Sequence, residues 1–431
     1  VAESHSESDE ELLDRFQRAA FGYFLKHVNP ENGLVADTSR AGSPASIAVV
    51  GFALSCYPVG AERGWMARVD AAALTLLTLR FFCNSRQGDE ADVTGYKGCY
   101  YHFLDMRTGT RVWQSELSLI DTTLLLAGVL TAGVYFGEDN PCEIEIRQHA
   151  DAIYRRIDWH WSRGGKATVR QGWRPESGFL QYGWEGYSEA TILYVLGLAS
   201  PEHPLPPDCY PACTETYQWE NIYDYELLYA GPLFIHYFSH AWIDFGGIRD
   251  RFMRDKRSDY FENSRRAIQV QREYARRNPR GFNGYGKDCW GITACDGPGF
   301  EVLEVDSRKR ILFGYAARGV PYGPDDGTIS PCAALAGLPF APELALSALR
   351  HFCTRYPEMI HDSRLPSSFN PTLPGDSSCG WVSEGYFGLD QGIIVLMIEN
   401  YRSQMIWKLM RRCPYIGLGL RRAGFSGGWL T

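Results

Sequence analysis

The sequence has no C-x-x-C pair, although it carries 12 cysteines in 431 residues. The closest spacings are Cys209 with Cys213 and Cys289 with Cys295, and neither follows a zinc-ligand pattern. Most of these cysteines are therefore expected as buried thiols, with room for one or two disulfides in an exported protein. No apolar run is long enough to span a bilayer. Positive charge is not in excess: the net charge is -8, which argues against a nucleic-acid partner. Nucleophile-elbow and phosphate-loop patterns are missing, and no Ser-His-Asp constellation is visible. His236 and His240 stand four apart, but no Glu follows in the zincin arrangement, so neither a metal nor a cofactor is expected. Strand alternation is weak and βαβ alternation absent, which argues against a parallel sheet.

What the chain does have is apolar and aromatic content: 45% hydrophobic residues and 14% aromatics, including 12 Trp and 25 Tyr. Such an excess builds a large core or a cleft in which sugar rings stack on aromatic faces. Residues 1–10 are rich in Ser, Glu and His and read as a disordered tail. From residue 11 to 431 no low-complexity linker divides the chain, so a single domain is expected, acting as a monomer. About eleven helical patterns follow one another, separated by long aromatic-rich loops. They include a fourth helix over 116–132, one over 225–245 and a last long one over 391–410. The helix count leads to an all-α fold, an (α/α)6 barrel. The acidic, polar N-terminus shows no secretory leader, as a trimmed chain also would not. A periplasmic or secreted location is expected, and a cytoplasmic one stays open.

The stretch from Trp184 to Leu196 carries the strongest signal. An aromatic loop enters a helical pattern, with Ser188 as the expected N-cap and Glu189 in the first turn. Glu189 shares a face with Ile192, Leu193 and Leu196, and a carboxylate on an apolar face needs a partner or a cleft. Glu116, Asp121 and Asp390 share this character, at or near a helix start beside aromatic loops. Each has a plainer reading as a cap or a loop-bonded carboxylate. Together they suit glycoside hydrolysis, in which one carboxyl protonates the leaving oxygen and another activates water or attacks carbon. Trp113, Trp184, Trp290 and Trp381 lie in loops and could line sugar subsites. Tyr101, His102 and Tyr187, in the same loops, join them. Asp244, Arg249 and Asp250 read as a salt-bridged loop.

Several segments carry a resemblance: Gly33-Leu34-Val35-Ala36-Asp37, Tyr100-Tyr101-His102-Phe103-Leu104-Asp105, Glu116-Leu117-Ser118-Leu119-Ile120-Asp121-Thr122, Gly186-Tyr187-Ser188-Glu189-Ala190, Trp242-Ile243-Asp244-Phe245 and Gly388-Leu389-Asp390-Gln391-Gly392. In their order and number the chain resembles the bacterial glycoamylase-like proteins. These include the β-1,2-glucanases of glycoside hydrolase family 144 and the related C-terminal domain of cyclic β-1,2-glucan synthases. The resemblance implies an (α/α)6 barrel with an acidic cleft and hydrolysis of β-1,2-glucan with inversion. It implies Glu189 as general acid, acting directly or through a substrate hydroxyl, with Glu116 and Asp121 flanking the scissile sugar and Asp390 as a polar wall. The chain departs from the pattern at Gly247 and in the loop over 296–325, which bears on substrate length and on endo or exo action. A β-1,2-glucan transglycosylase and a non-catalytic glycan-binding protein are the alternatives.

Overall fold

The structure, a computed structural model, describes residues 7–431. Among these residues the helices are α1 (Asp9–Lys26), α2 (Ile47–Glu62), α3 (Arg68–Asn84), α4 (Leu119–Tyr135), α5 (Pro141–Arg155), α6 (Thr191–Ala199) and α7 (Cys209–Thr214). They continue with α8 (Arg251–Asp255), α9 (Tyr260–Arg277), α10 (Pro331–Ala336), α11 (Pro342–Arg355), α12 (Gly388–Arg402), α13 (Met405–Arg411) and α14 (Pro414–Arg422). Strands are two to four residues long and pair antiparallel as small loop ribbons.

Two kinds of helix alternate. In α2, α4, α6, α10 and α12 buried residues cover nearly every face, whereas α1, α3, α5, α9 and α11 bury one stripe and expose the other. A helix that is apolar all round must be enclosed by others, while an amphipathic one can form an outer layer. The contacts agree: α2 packs on α4 and α12, α1 on α12, α5 on α4, and α10 on α11 and α12. The α2–α4 crossing is close because Gly51 and Gly128 face each other. A Cβ on Gly51 would strike the Leu124 carbonyl, and one on Gly128 the Gly51 carbonyl. Replacing a buried Leu of this layer by Ala costs about 2–5 kcal/mol.

Several boundaries differ from the sequence reading. Residues 1–6 of the expected tail lie outside the described residues, but Ser8 closes a capping box with Glu11 and α1 starts at Asp9. Position 225 opens no helix. Trp219–Ile222 and Tyr225–Leu228 form a hairpin whose turn, Tyr223-Asp224, has both residues at positive φ. Its Ile222 and Leu227 pack on Ala267 and Val270 of α9. Gly231-Pro232 then breaks the chain, and only the 3-10 turns Leu233–His236 and Ser239–Ala241 follow. The last long helix divides at Gln404, which is left-handed. All twelve cysteines are free thiols, so the disulfide option is not used. Asp244 pairs with Arg411 rather than Arg249, and Asp250 caps α8 and accepts from Tyr210 and Tyr260. No helix among the described residues is long and apolar enough to cross a membrane.

Candidate active site

A cavity of about 810 Å3 lies at the N-terminal ends of α4, α6 and α12. Glu116, Asp121, Glu189 and Asp390 all line it, together with His102, Trp113 and Trp184. Three segments far apart in sequence thus converge, because each carboxylate sits at or just before the start of a buried helix.

Glu116 precedes α4 rather than opening it. Leu117–Ser118 pairs with Gly172–Arg174, and α4 begins at Leu119. Ser118 is the N-cap, its hydroxyl accepting from the Asp121 N–H at 3.2 Å and donating to the Asp121 carboxylate. Asp121 is thereby fixed in the first turn by the N-cap serine rather than by a loop backbone, and it faces the cavity.

His102 bridges the two carboxylates. Its Nδ1 is 2.9 Å from Glu116 Oε1 and its Nε2 3.5 Å from Asp121 Oδ2. Burial alone would push the imidazole down. Asp121, the hydrogen bond to Glu116 and the charges of Glu116 and Asp37 outweigh it and lift the pKa to about 9. Burial likewise pushes the Glu116 carboxyl up, but the hydrogen bond and charge of His102 hold it below the ordinary value. The ligand atoms of His102, Glu116 and Asp121 lie within 4.8 Å of one another, close enough to meet an ion. A doubly protonated imidazole between two carboxylates already satisfies all three, and a metal would first have to displace that proton.

Glu189 has no such neighbour. The helix it was expected to open starts at Thr191, and Ser188 accepts from the Ala190 N–H. The Ser239 hydroxyl donates to the Glu189 carbonyl at 2.7 Å and accepts from the Ile192 N–H at 3.1 Å, joining Glu189 to the 3-10 segment. Burial lifts the Glu189 carboxyl to about 7; its own backbone N–H opposes the rise and the Asp121 charge adds to it. Asp390, in the first turn of α12, is lifted to about 7 by burial, with Asp37 and Asp296 adding repulsion against a hydrogen bond from Ser367. One of its oxygens, Oδ2, is buried without a partner.

Other expected ligand-facing residues are elsewhere. Trp290 is fully buried, since Gly291 packs under Ser330 at the start of α10. Tyr101 is also fully buried, its ring covered by the Arg111 guanidinium at 4.7 Å. Neither can face a ligand. Tyr187 and Trp381 are half-buried but do not line the cavity. Tyr187 packs among Tyr217, His236 and Tyr260, and Trp381 sits in a ribbon paired with Asn370. His236 and His240 are buried and bond to different partners, the Ala230 carbonyl and the Ser264 hydroxyl.

The cavity also contains residues the sequence reading left without a role. Asp37 faces it, lifted to about 6 by burial, with His102 and Arg40 opposing the rise and Asp121 adding to it. The Asp37 carbonyl accepts from the Gly388 N–H at 2.8 Å, which ties Asp37 to the helix carrying Asp390. Arg40 pairs with Asp296 and lies 5.1 Å over Phe387, on which Tyr315 stacks. Asp37 stands within a segment that carries the family resemblance, the one signal that could have selected it. Arg40, Asp296 and Tyr315 lie in irregular loops with no periodicity to mark them.

The sequence profile described as "Putative glucoamylase" matches residues 181–414, which include Glu189 and Asp390. A solved structure from Bacteroides uniformis with the same description is 30% identical, covers 99% of this chain and 100% of its own, and superposes with a TM-score of 0.87. The endo-β-1,2-glucanase of Chitinophaga pinensis, solved with sophorotriose and glucose, is 26% identical over 98% of this chain and 100% of its own, with a TM-score of 0.84. The exo β-1,2-glucooligosaccharide sophorohydrolase (non-reducing end) of Parabacteroides distasonis is 26% identical over 98% of this chain. The chain spans 59% of the length of that relative.

Proposed function

The chain belongs to the glycoamylase family, and from that premise we propose that it is a glycoside hydrolase cleaving β-1,2-glucan within a single (α/α)6 catalytic domain over residues 11–431. The alternation of enclosed and amphipathic helices supports the barrel. α2, α4, α6, the 3-10 segment, α10 and α12 make the inner ring, and the amphipathic helices belong to the outer one. Two of the relatives named above, the Chitinophaga pinensis endo-β-1,2-glucanase and the Parabacteroides distasonis sophorohydrolase, act on β-1,2-linked glucans, which supports the substrate.

One observation carries the mechanism: a single cavity holds a carboxyl raised to about 7 and, apart from it, two carboxylates on a protonated histidine. Glu189, protonated near neutral pH, donates its proton to the departing glycosidic oxygen, directly or through a sugar hydroxyl. As the C–O bond breaks, positive charge develops at the sugar ring. The fixed charges of Glu116 and Asp121 stabilise it, and His102 holds both in place. Water supplies the new C–O bond and loses its proton to a carboxylate of the Asp37–Asp390 pair. Like charges in a buried setting give that pair proton affinity near neutrality. Trp184 lines the cavity and offers a sugar ring an aromatic face.

The test is incubation with linear β-1,2-glucan, alone and with an acceptor sugar. Shorter reducing oligosaccharides in both cases support hydrolysis. Products longer than the substrate would favour the transglycosylase, and binding without cleavage the glycan-binding protein. Intact, unbound glucan would overturn the reading.

A further inference from the structure

His102 begins a line of aromatic faces that leaves the carboxylate cluster. It stacks on Phe103 with ring centroids 3.9 Å apart and planes at 13°. Phe103 in turn meets Trp113 at 5.2 Å and 56°. All three rings line the cavity; His102 and Phe103 are half-buried, and Trp113 is 69% exposed. An indole this bare, adjoining a buried cluster, marks the mouth of the cavity.

The backbone holds that indole outward against its own preference. Trp113 has φ 57° and Gln114 φ 49°, two successive non-glycine residues in the left-handed region. For a bulky side chain this conformation is an outlier, kept only where the surroundings over-determine it. They do so here. The Val112 N–H donates to the Phe103 carbonyl at 3.1 Å, and the Ser115 N–H to the Val112 carbonyl at 3.0 Å. Arg111, nearly buried, donates to the Ser115 carbonyl at 2.6 Å and pairs with Glu176 at 2.6 Å. The turn is clamped from both sides, so the backbone from which the indole projects is fixed, and Phe103 backs the ring at 5.2 Å.

Pyranose rings present apolar C–H faces that pack on such surfaces, and a rigid aromatic loses little entropy on binding. Resting on the hydrolase reading, we infer that Phe103 and Trp113 form a distal subsite. It is a stacking platform for a glucosyl unit beyond the pair being cleaved, and it makes the protein favour longer chains. The carboxylates act on the scissile linkage, while the platform holds the chain two rings away from them.

The experiment compares Trp113→Ala and Trp113→Tyr with wild type on a long β-1,2-glucooligosaccharide and on the shortest one that wild type cleaves. Stacking of this kind is worth about 0.5–1.5 kcal/mol, so in Trp113→Ala the long-to-short ratio of kcat/KM should fall about threefold to tenfold. The change should lie in KM, and Trp113→Tyr should restore most of it. Calorimetry on Glu189→Gln and on the Glu189→Gln, Trp113→Ala double variant should show the same drop in affinity for the long chain. An unchanged ratio, or equal losses on both lengths, overturns the platform while glucan cleavage leaves the hydrolase reading intact. If wild type neither binds nor cleaves the glucan, both fall together.

Discussion

Two carboxylate neighbourhoods share one cavity and behave in opposite ways. Glu116 is half-buried, and His102 donates to it and holds its pKa below the ordinary value. Glu189, half-buried at the cavity wall, has no cation beside it, and its pKa rises to about 7. The residue type is the same and burial pushes both carboxyls up, more strongly at Glu189; the neighbouring ring turns the balance at Glu116, which gives up its proton while Glu189 keeps it. The division of labour between proton donor and fixed charge therefore depends on placing one histidine, and it can be broken from either side.

Breaking it at Glu189 should have the largest effect. Glu189→Gln keeps the shape but cannot donate, so turnover on β-1,2-glucan should fall at least about a hundredfold with the fold intact. In the wild type, activity should decline as pH rises through about 7, because Glu189 then loses the proton it must give. It should also decline below about 6, as the Asp37–Asp390 pair becomes protonated. A Glu189→Gln protein with near-full activity would return Glu189 to a structural role and make Asp390, the other cavity carboxyl raised to about 7, the leading acid.

Breaking it at His102 should cost less. Without the imidazolium, Glu116 loses the hydrogen bond and the charge that hold its pKa down, and burial then pushes its carboxyl up. His102→Gln should lower kcat/KM about tenfold at pH 7 and move the acidic limb of the pH profile upward, as expected when one fixed charge is lost. A lower plateau with an unmoved acidic limb would show that His102 only packs. Weaker still is the contrast between Trp184 and Trp381. Trp184→Ala should raise KM about threefold to tenfold with little change in kcat, since it removes contact common to ground and transition states. Trp381→Ala should leave KM as it is, and a matching rise would place Trp381 at the ligand after all.

The same contrast explains what could be read in the sequence. Glu116, Asp121, Glu189 and Asp390 are visible because a carboxylate entering an apolar helix conflicts with its surroundings, and that conflict is local. All four reach the cavity. Asp37, Arg40 and Asp296 are not visible in this way, since their meaning comes from segments hundreds of residues apart meeting at α12. The aromatics fail for a related reason. Trp290, Trp184 and Trp113 look alike as loop tryptophans, yet one is fully buried, one half-buried at the cavity and one exposed at its rim. Ring count is compositional, while the exposed face is decided by packing. No helix forms over 225–245, because the apolar periodicity there belongs to a hairpin and two 3-10 turns, with Gly231-Pro232 between them.

The smallest effect sharpens the comparison through stability. Glu189 titrates at about 7 in the folded protein against an ordinary 4.5. Between those values the folded state holds a proton the unfolded chain has lost, so stability falls as pH rises across that window. His102 titrates at about 9 against 6.5, so its contribution is fully present below 6.5 and is lost as pH rises through 9. Both groups slope downward with pH, in adjoining windows. Because both side chains face cavity water, about 1–2 kcal/mol each is a reasonable size after screening. Urea titrations from pH 4.5 to 9 should therefore show Glu189→Gln flattening the lower part of the decline and His102→Gln the upper part. Curves that shift in parallel, with slopes unchanged in both windows, would mean that neither group differs between folded and unfolded states. The separate electrostatic roles of the two neighbourhoods would then be lost.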